Sequence, residues 1–381
     1  MKRYLMTPGP TPVAPETQLA MAQPILHHRS PQFMEILGKV REDLKYLFQT
    51  QQEVLIFTAT GTGAMEGAVT NTLSPGDTAL VVDGGKFGER WTELCQVYGV
   101  KVDRLEVPWG RAVNPQEVAR RLDANPAIKA VMVQANETST GVQHPVKELA
   151  QVVKPRAGTI LIVDAISALG GYALPLDEWQ MDVLVAGSQK AMMLPPGLAF
   201  AVLSPKAWEF VKTAKLPKYY FDFAKQLKSQ EKNQTPYTSA VSLILGLGEV
   251  LGRIRQEGLE KIFARNRRLS QATKAAMAAM GLELYARDNP SDVLTAVQAP
   301  PGVDGQKVVG RLRGKGIWIA GGQAQAKGKI FRIAHMGYID ELDLLGTIAG
   351  LEVVLNELGY PVELGVGVHA AQKILGKEAG A

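Results

Sequence analysis

The sequence predicts an α/β fold, a mostly parallel seven-stranded sheet with helices on both faces, followed by a smaller α+β domain toward the C-terminal end. Three observations carry this. Between residues 54 and 203, short apolar runs alternate with helical patterns, the signature of strands joined by crossover helices. Those runs are apolar throughout rather than at every second position, as strands covered on both faces are. A length of 381 residues is too great for one small core and suits a large domain plus a smaller one.

Taken in order, residues 1–15 hold Thr7-Pro8-Gly9-Pro10-Thr11-Pro12, which can be neither helix nor central strand and reads as an ordered arm laid across the rest. Residues 31–49 carry Phe33, Ile36, Leu37, Val40, Leu44, Leu47 and Phe48 on one helical face. Strands are expected at 54–58, 78–82, 101–107, 128–134, 159–163, 183–187 and 198–203. The helices between them fall at 64–73, 87–98 and 145–154, with another opening at Asn114-Pro115-Gln116-Glu117, where a capping side chain precedes proline. Residues 204–235 look polar and less regular, and long amphipathic helices follow at about 239–256 and 258–280. From Leu282 the pattern becomes strand, helix (304–313), strand (316–320), strand (329–335) and helix (341–358). The expected division is an arm over the active site (1–15), a large domain (16–257) and a small domain (258–381).

Composition narrows the function classes. The 42 basic and 37 acidic side chains are dispersed, with no Lys/Arg run to track phosphates, so nucleic acid is not an expected partner. The lone Cys95 excludes an intramolecular disulfide framework and makes a reducing cytoplasm the expected location. No metal is expected from the histidine spacing. No apolar stretch is long enough for a membrane span, the proline-rich start does not read as a signal peptide, and the final Gly-Lys-Glu-Ala-Gly-Ala is not a peroxisomal address.

Ligands of such sheets sit beyond the carboxyl ends of the strands, so the strand-end residues are the ones to weigh. The run 183–187 delivers Ser188-Gln189-Lys190 into a turn closed by Pro195, Pro196 and Gly197. Burying an ammonium there is costly unless its amine is paired or forms a Schiff base with a carbonyl cofactor, above all pyridoxal phosphate. The alternative is a lysine snorkelling to the surface. Thr60-Gly61-Thr62-Gly63 joins strand to helix, either as a plain turn or as a seat for a single phosphate; it matches neither a dinucleotide fingerprint nor a P-loop. Asp164 ends an apolar strand and needs a cation, such as a protonated pyridine nitrogen; it could instead cap a helix or bind a ribose. Phe87 could stack on a flat ring or belong to the core, and Thr138 could offer its hydroxyl or sit in a polar turn. Arg332, inside the apolar run 329–334, suits a carboxylate gripped in two places or a cross-strand ion pair.

Six motifs in this order carry a resemblance: Pro8-Gly9-Pro10, Gly61-Thr62-Gly63-Ala64-Met65-Glu66, Glu137-Thr138-Ser139-Thr140-Gly141, Val163-Asp164-Ala165-Ile166-Ser167, Ser188-Gln189-Lys190 and Arg332. The chain resembles class V aminotransferases of pyridoxal-phosphate fold type I, closest to those of alanine–glyoxylate and serine–glyoxylate (serine–pyruvate) type. Cyanobacterial proteins of this look have also been labelled the small subunit of a soluble hydrogenase. The resemblance implies pyridoxal 5′-phosphate as cofactor, Lys190 as the Schiff-base (internal aldimine) lysine and proton carrier, and Asp164 on the pyridine nitrogen. It places Phe87 and Ile166 on the two ring faces, Thr138 at the ring hydroxyl, and Thr60, Gly61, Thr62 and Gln189 at the phosphate. Thr235, Tyr237 and Thr238 would reach the phosphate of a partner subunit, in a homodimer with shared active sites. Arg332 would clamp the substrate carboxylate, with the Gly9 backbone nearby. Thr62 stands where animal members commonly have histidine, and Phe87 where they have tryptophan. The expected activity is ping-pong transfer of an amino group from alanine or serine to glyoxylate or another small 2-oxo acid. The rivals are a phosphoserine aminotransferase, a cysteine desulfurase, and a non-catalytic partner subunit of a soluble hydrogenase.

Overall fold

The computed structural model describes residues 3–377, so the last four residues of the C-terminal tail lie outside the described residues. Seven strands form the main sheet: β1 (Val54–Ala59), β2 (Thr78–Asp83), β3 (Lys101–Glu106), β4 (Ile128–Gln134), β5 (Ile160–Asp164), β6 (Val183–Gly187) and β7 (Gly197–Leu203). Their order across the sheet is β1-β7-β6-β5-β4-β2-β3, and β7 alone runs antiparallel to its neighbours. The expected mostly parallel, seven-stranded α/β architecture is therefore found. Parallel strands place their carboxyl ends on one edge, which brings residues far apart in sequence to a single rim.

The inner strands of the sheet are covered on both faces, while the edge strand β3 is largely exposed. Val54, Ile56, Val131, Val133, Leu161, Val163, Leu184 and Phe200 point to one face, against the helices Pro31–Phe48 and Val241–Glu257. The intervening residues Leu55, Phe57, Ala130, Met132, Ile160, Ile162, Val183 and Val185 point to the other, against the helices Gly61–Thr72 and Lys86–Val97. Period-2 alternation between two apolar layers is what makes the inner runs read as continuously hydrophobic, whereas the edge strand β3 (Lys-Val-Asp-Arg-Leu-Glu) stays mostly exposed. Helix Pro31–Phe48 begins at Ser30, whose hydroxyl accepts from the Phe33 amide, and stops at Gln49 in the left-handed conformation (φ 50°).

Further along the chain, a three-stranded antiparallel sheet orders Leu294–Gln298, Ile330–Ala334 and Ala320–Gly321, with Arg332 opposite Ala296 and Ala320. Helices Leu259–Ala279, Gly305–Gly314, Glu341–Glu357 and Val366–Leu375 help enclose a third apolar cluster beside it. The arm is pinned here: Tyr4–Leu5 pairs in parallel with Ile317–Trp318, and the Ala334 amide donates to the Met6 carbonyl at 2.9 Å.

Three expectations are corrected. Residues 204–235 contain two helices, Pro205–Thr213 capped by Ser204 and Phe223–Gln230 capped by Asp222. The single strand expected at 316–320 is divided, because Ile317–Trp318 pairs with the arm while Ala320–Gly321 joins the three-stranded sheet. The helix Val366–Leu375 was not expected at all. Among the described residues, no helix is long and apolar enough to cross a membrane, and no group of three or more His, Cys, Asp or Glu could hold a metal ion.

Candidate active site

The carboxyl ends of the parallel strands converge on one cavity. Thr60, Gly61, Thr62, Phe87, Thr138, Asp164, Ile166, Gln189 and Lys190 all line it, joined by Arg90 and Ser167. β5 supplies Asp164 as its last residue, and the chain leaves β6 directly into Ser188-Gln189-Lys190. That turn is closed by its own bonds. The Ser188 hydroxyl donates to the Pro195 carbonyl (2.7 Å) and accepts from the Leu198 amide (3.2 Å), while the Met193 amide donates to the Lys190 carbonyl (3.0 Å).

The arm lies on the lysine. Lys190 Nζ donates to the Pro8 carbonyl at 2.6 Å, and the Thr11 hydroxyl donates to the Lys190 carbonyl at 2.6 Å. Gly9 has φ +126°, and a Cβ there would stand 2.2 Å from Lys190 Nζ, so both its backbone conformation and the close approach require glycine. The amine is held down to about 8. Burial does most of this; the Asp164 carboxylate opposes it, and Arg332 and Arg90 lower it further.

Asp164 is buried, and burial pushes its carboxyl up to about 6 against the hydrogen bond from the Ile166 amide (2.8 Å) and the charges of Arg90 and Lys190. Thr138 and Ser167 share a hydroxyl–hydroxyl hydrogen bond of 2.6 Å. Arg90 stacks its guanidinium 4.9 Å from the Phe87 ring centre and donates to the Thr62 hydroxyl at 3.1 Å. Sequence reasoning missed Arg90, although its place three residues after Phe87 puts both on one helical face.

Arg332 is 5% exposed. It donates through Nε (3.0 Å) and Nη2 (2.7 Å) to the Gly321 carbonyl, and through Nη1 (2.8 Å) to the Thr138 carbonyl. A guanidinium has five N–H donors, so donors remain for a carboxylate. Burial lowers it to about 10, with the Glu137 charge opposing. Thr235, Tyr237 and Thr238 stand elsewhere, along a separate cleft with Tyr220. There the Thr235 hydroxyl donates to the Tyr237 carbonyl (2.6 Å), and the Tyr237 hydroxyl donates to the Tyr219 carbonyl (2.9 Å).

The cavity fits a flat, phosphorylated pyridine. Helix Gly61–Thr72 starts at Thr60 with no side-chain cap; the Gly63 amide donates to the Thr60 carbonyl (2.8 Å), while the Gly61 and Thr62 amides and the positive end of the dipole are left for an anion. Gln189 lines the same wall, and its side-chain NH₂ group is the one that can donate to a phosphate oxygen. A Cβ on Gly61 would come within 2.4 Å of Ile166, so glycine lets the phosphate turn close against the residue expected beneath the ring. Opposite, the buried Asp164 awaits a positive charge.

Known proteins resemble the chain along nearly its whole length. Residues 16–339 match the family model of aminotransferase class-V. The chain is 45% identical over 379 residues to a Synechococcus protein called soluble hydrogenase, small subunit, covering 98% of each. It is 38% identical to a serine–glyoxylate aminotransferase of Arabidopsis thaliana, covering 98% of this chain and 95% of that one. Among solved structures, the ureidoglycine–glyoxylate aminotransferase of Bacillus subtilis superposes with a TM-score of 0.94 at 31% identity, covering 99% of both chains. With its lysine, aspartate and uncapped helix start gathered at one sheet edge, the chain belongs to the class-V aminotransferases, enzymes that depend on pyridoxal 5′-phosphate.

Proposed function

We propose that this enzyme moves the amino group of alanine or serine to glyoxylate, or another small 2-oxo acid, by a ping-pong sequence at one site. The observation that carries the site assignment is the meeting of Lys190 and Asp164 in one cavity, each shifted toward neutrality by burial and each coupled to the other. Glyoxylate as acceptor is supported by the names of the Arabidopsis and Bacillus relatives.

Pyridoxal phosphate supplies a carbonyl carbon that takes the amino group and a ring that accepts electrons. The chain's own residues do the rest. Lys190, with a depressed amine, carries the covalent attachment and moves the proton at the substrate α-carbon. Asp164 holds positive charge on the ring nitrogen. Phe87 and Ile166 bracket the ring, and Thr138 faces its hydroxyl. The Gly61 and Thr62 amides, the Thr60 and Thr62 hydroxyls and the Gln189 side-chain NH₂ bind phosphate. Arg332 fixes the substrate carboxylate, and the arm, through Gly9, covers Lys190.

The outlying cleft at 235–238 suits a homodimer in which that segment of a second copy completes the phosphate site, with 16–257 and 258–381 as the two domains of each subunit. Lone, buried Cys95 is consistent with a cytoplasmic protein. Its thiol is pushed up to about 12 by burial, which disfavours the desulfurase reading, since that chemistry needs an accessible thiolate. The 45% identity to a hydrogenase-named relative favours one second reading, a partner subunit of such a complex.

A visible spectrum of the purified protein tests the proposal. Absorption of the lysine-linked cofactor that changes on adding alanine or serine, and returns with glyoxylate, supports it and names the donor. Absorption indifferent to both donors sends the search to other amino acids. No absorption after incubation with the cofactor, together with stable co-purification of an oxidoreductase, favours the partner reading.

A further inference from the structure

Glu137 is fully buried yet touches no cation at hydrogen-bond distance; its partners are all neutral donors. One carboxylate oxygen accepts from the Phe87 and Gly88 amides, each at 3.1 Å. The other accepts from the Ser139 amide at 3.1 Å and the Ser139 hydroxyl at 2.5 Å. The Ser139 hydroxyl in turn accepts from the Lys86 amide at 3.0 Å. The first three amides of helix Lys86–Val97 are thus all taken up by residues 137 and 139. Gly85 precedes that helix, and a Cβ there would stand 2.4 Å from the Glu137 carboxyl carbon, so the fit leaves no room for any other residue. Such an external acceptor answers the orphan amides and the positive pole of the helix together; burial pushes its carboxyl up to about 7, while the Ser139 and Gly88 hydrogen bonds oppose that rise.

The residue between them is Thr138, whose carbonyl holds Arg332 Nη1 at 2.8 Å and whose hydroxyl holds Ser167 at 2.6 Å. Phe87 and Arg332 belong to different layers of the molecule and share no direct bond. They meet through 137–139.

We infer that Glu137 is a positioning residue for transamination: its carboxylate locks the helix turn that presents Phe87 to the segment whose Thr138 carbonyl aims Arg332. This rests on the roles proposed above for Phe87 as ring platform and Arg332 as carboxylate clamp. The ring and the substrate carboxylate must be held at a fixed separation for the α-carbon to sit over the reacting carbon, and a slack joint between their holders misplaces it. Glutamine keeps the shape of Glu137 but turns one acceptor into a donor, so one pair of N–H or O–H donors is left facing an NH₂ group. Glutamine also removes a negative charge near Arg332, which by itself favours the substrate carboxylate, so a raised KM in the variant reports lost positioning rather than lost charge.

The test is steady-state kinetics of Glu137→Gln, with serine or alanine and glyoxylate as substrates, beside the wild type. The expected result is a KM at least tenfold higher for both the amino donor and the oxo acid, with kcat changed less and the lysine-linked absorption retained. In the Arg332→Ala background the same substitution should add less than twofold to KM, because the clamp it aims is gone. A KM within twofold of wild type, or KM penalties that multiply in the double variant, overturns the inference. If the glutamine variant does not fold, Glu137→Asp keeps the charge and withdraws it by one methylene; an intermediate KM supports the inference and a wild-type KM overturns it. A wild type without transamination strikes the parent reading instead. In that case cofactor loss on dilution decides: several-fold faster loss from the variant supports the Phe87 half of the joint, and equal rates overturn it.

Discussion

Replacing Asp164 by asparagine should act in opposite directions on the cofactor-free and the loaded enzyme. In the cofactor-free protein the carboxyl is raised from 3.8 to about 6, chiefly by burial. That is roughly 2 units, or about 3 kcal/mol, by which the folded state disfavours the charged form. A raised carboxyl is compatible with the fold while protonated. The stability it allows is complete below the unfolded value near 4 and is lost as pH rises through about 6. Asparagine keeps an acceptor for the Ile166 amide, which now donates 2.8 Å to Asp164 Oδ1, and carries no charge. The cofactor-free variant should therefore be more stable than the wild type by about 3 kcal/mol at pH 7.5. For 381 residues, an unfolding entropy of ~2 cal/mol/K per residue turns this into a Tm higher by roughly 4 °C. The gap should close as pH falls toward 4. With cofactor added the order should reverse, since in the proposed site the buried charge then faces the ring cation: the wild type gains more stability than the variant, and variant turnover falls on the order of a hundredfold or more. Thermal melts of stripped and reloaded protein at pH 4.5, 6 and 7.5 read all of this. Equal melting temperatures at pH 7.5, or a gap that does not shrink with acid, would refute the claim that this carboxylate is held in the cavity without sufficient compensation.

Three further outcomes follow from the same site. Since the Lys190 amine sits at about 8, cofactor uptake by stripped protein should speed up with pH and level off just above 8, and Lys190→Ala should lose the visible absorption and nearly all turnover; a rate still climbing past 10 would mean an ordinary solvated lysine. Arg332→Ala removes three hydrogen bonds to the Gly321 and Thr138 carbonyls along with the charge, and kcat/KM should fall by about 2–4 kcal/mol, chiefly through KM; unchanged kinetics would point to a different anion clamp. Gly9→Ala forces a methyl to within 2.2 Å of Lys190 Nζ at φ +126°, so it should cost roughly 1–3 kcal/mol of stability and weaken the lysine-linked absorption; a wild-type melt and spectrum would mean the arm does not rest on Lys190 in solution.

What the sequence makes legible here depends on whether a residue's partner lies along the chain or across it. Strands β4 and β6 are found at the expected limits because a strand covered on both faces is a continuous apolar run that needs no neighbour to be recognised. Asp164 and Lys190 stand out because a charge ending such a run has no local explanation. The two helices within 204–235 were missed although Ser204-Pro205 and Asp222 cap them, since their apolar faces are short and interrupted by lysines. The divided strand at 317–321 could not be read, because its break is set by where the arm pairs, some 300 residues earlier.

Glu137 and Arg90 escaped for a related reason. Each is a charge in a polar stretch, where the ordinary reading is solvation, and nothing local says that Glu137 is buried. Only the closure of β2 beside β4 brings the amides of Phe87 and Gly88 onto its carboxylate. Strand ends therefore announce the groups that face the ligand, while the groups that hold those groups in place are carried on the joints between strand ends. Such joints are visible as charge at odds with burial, a property of the folded chain alone. In this enzyme the joint at 137–139 connects Phe87, the proposed ring platform, to Arg332, so substitutions there should alter substrate affinity without touching a residue expected to contact substrate.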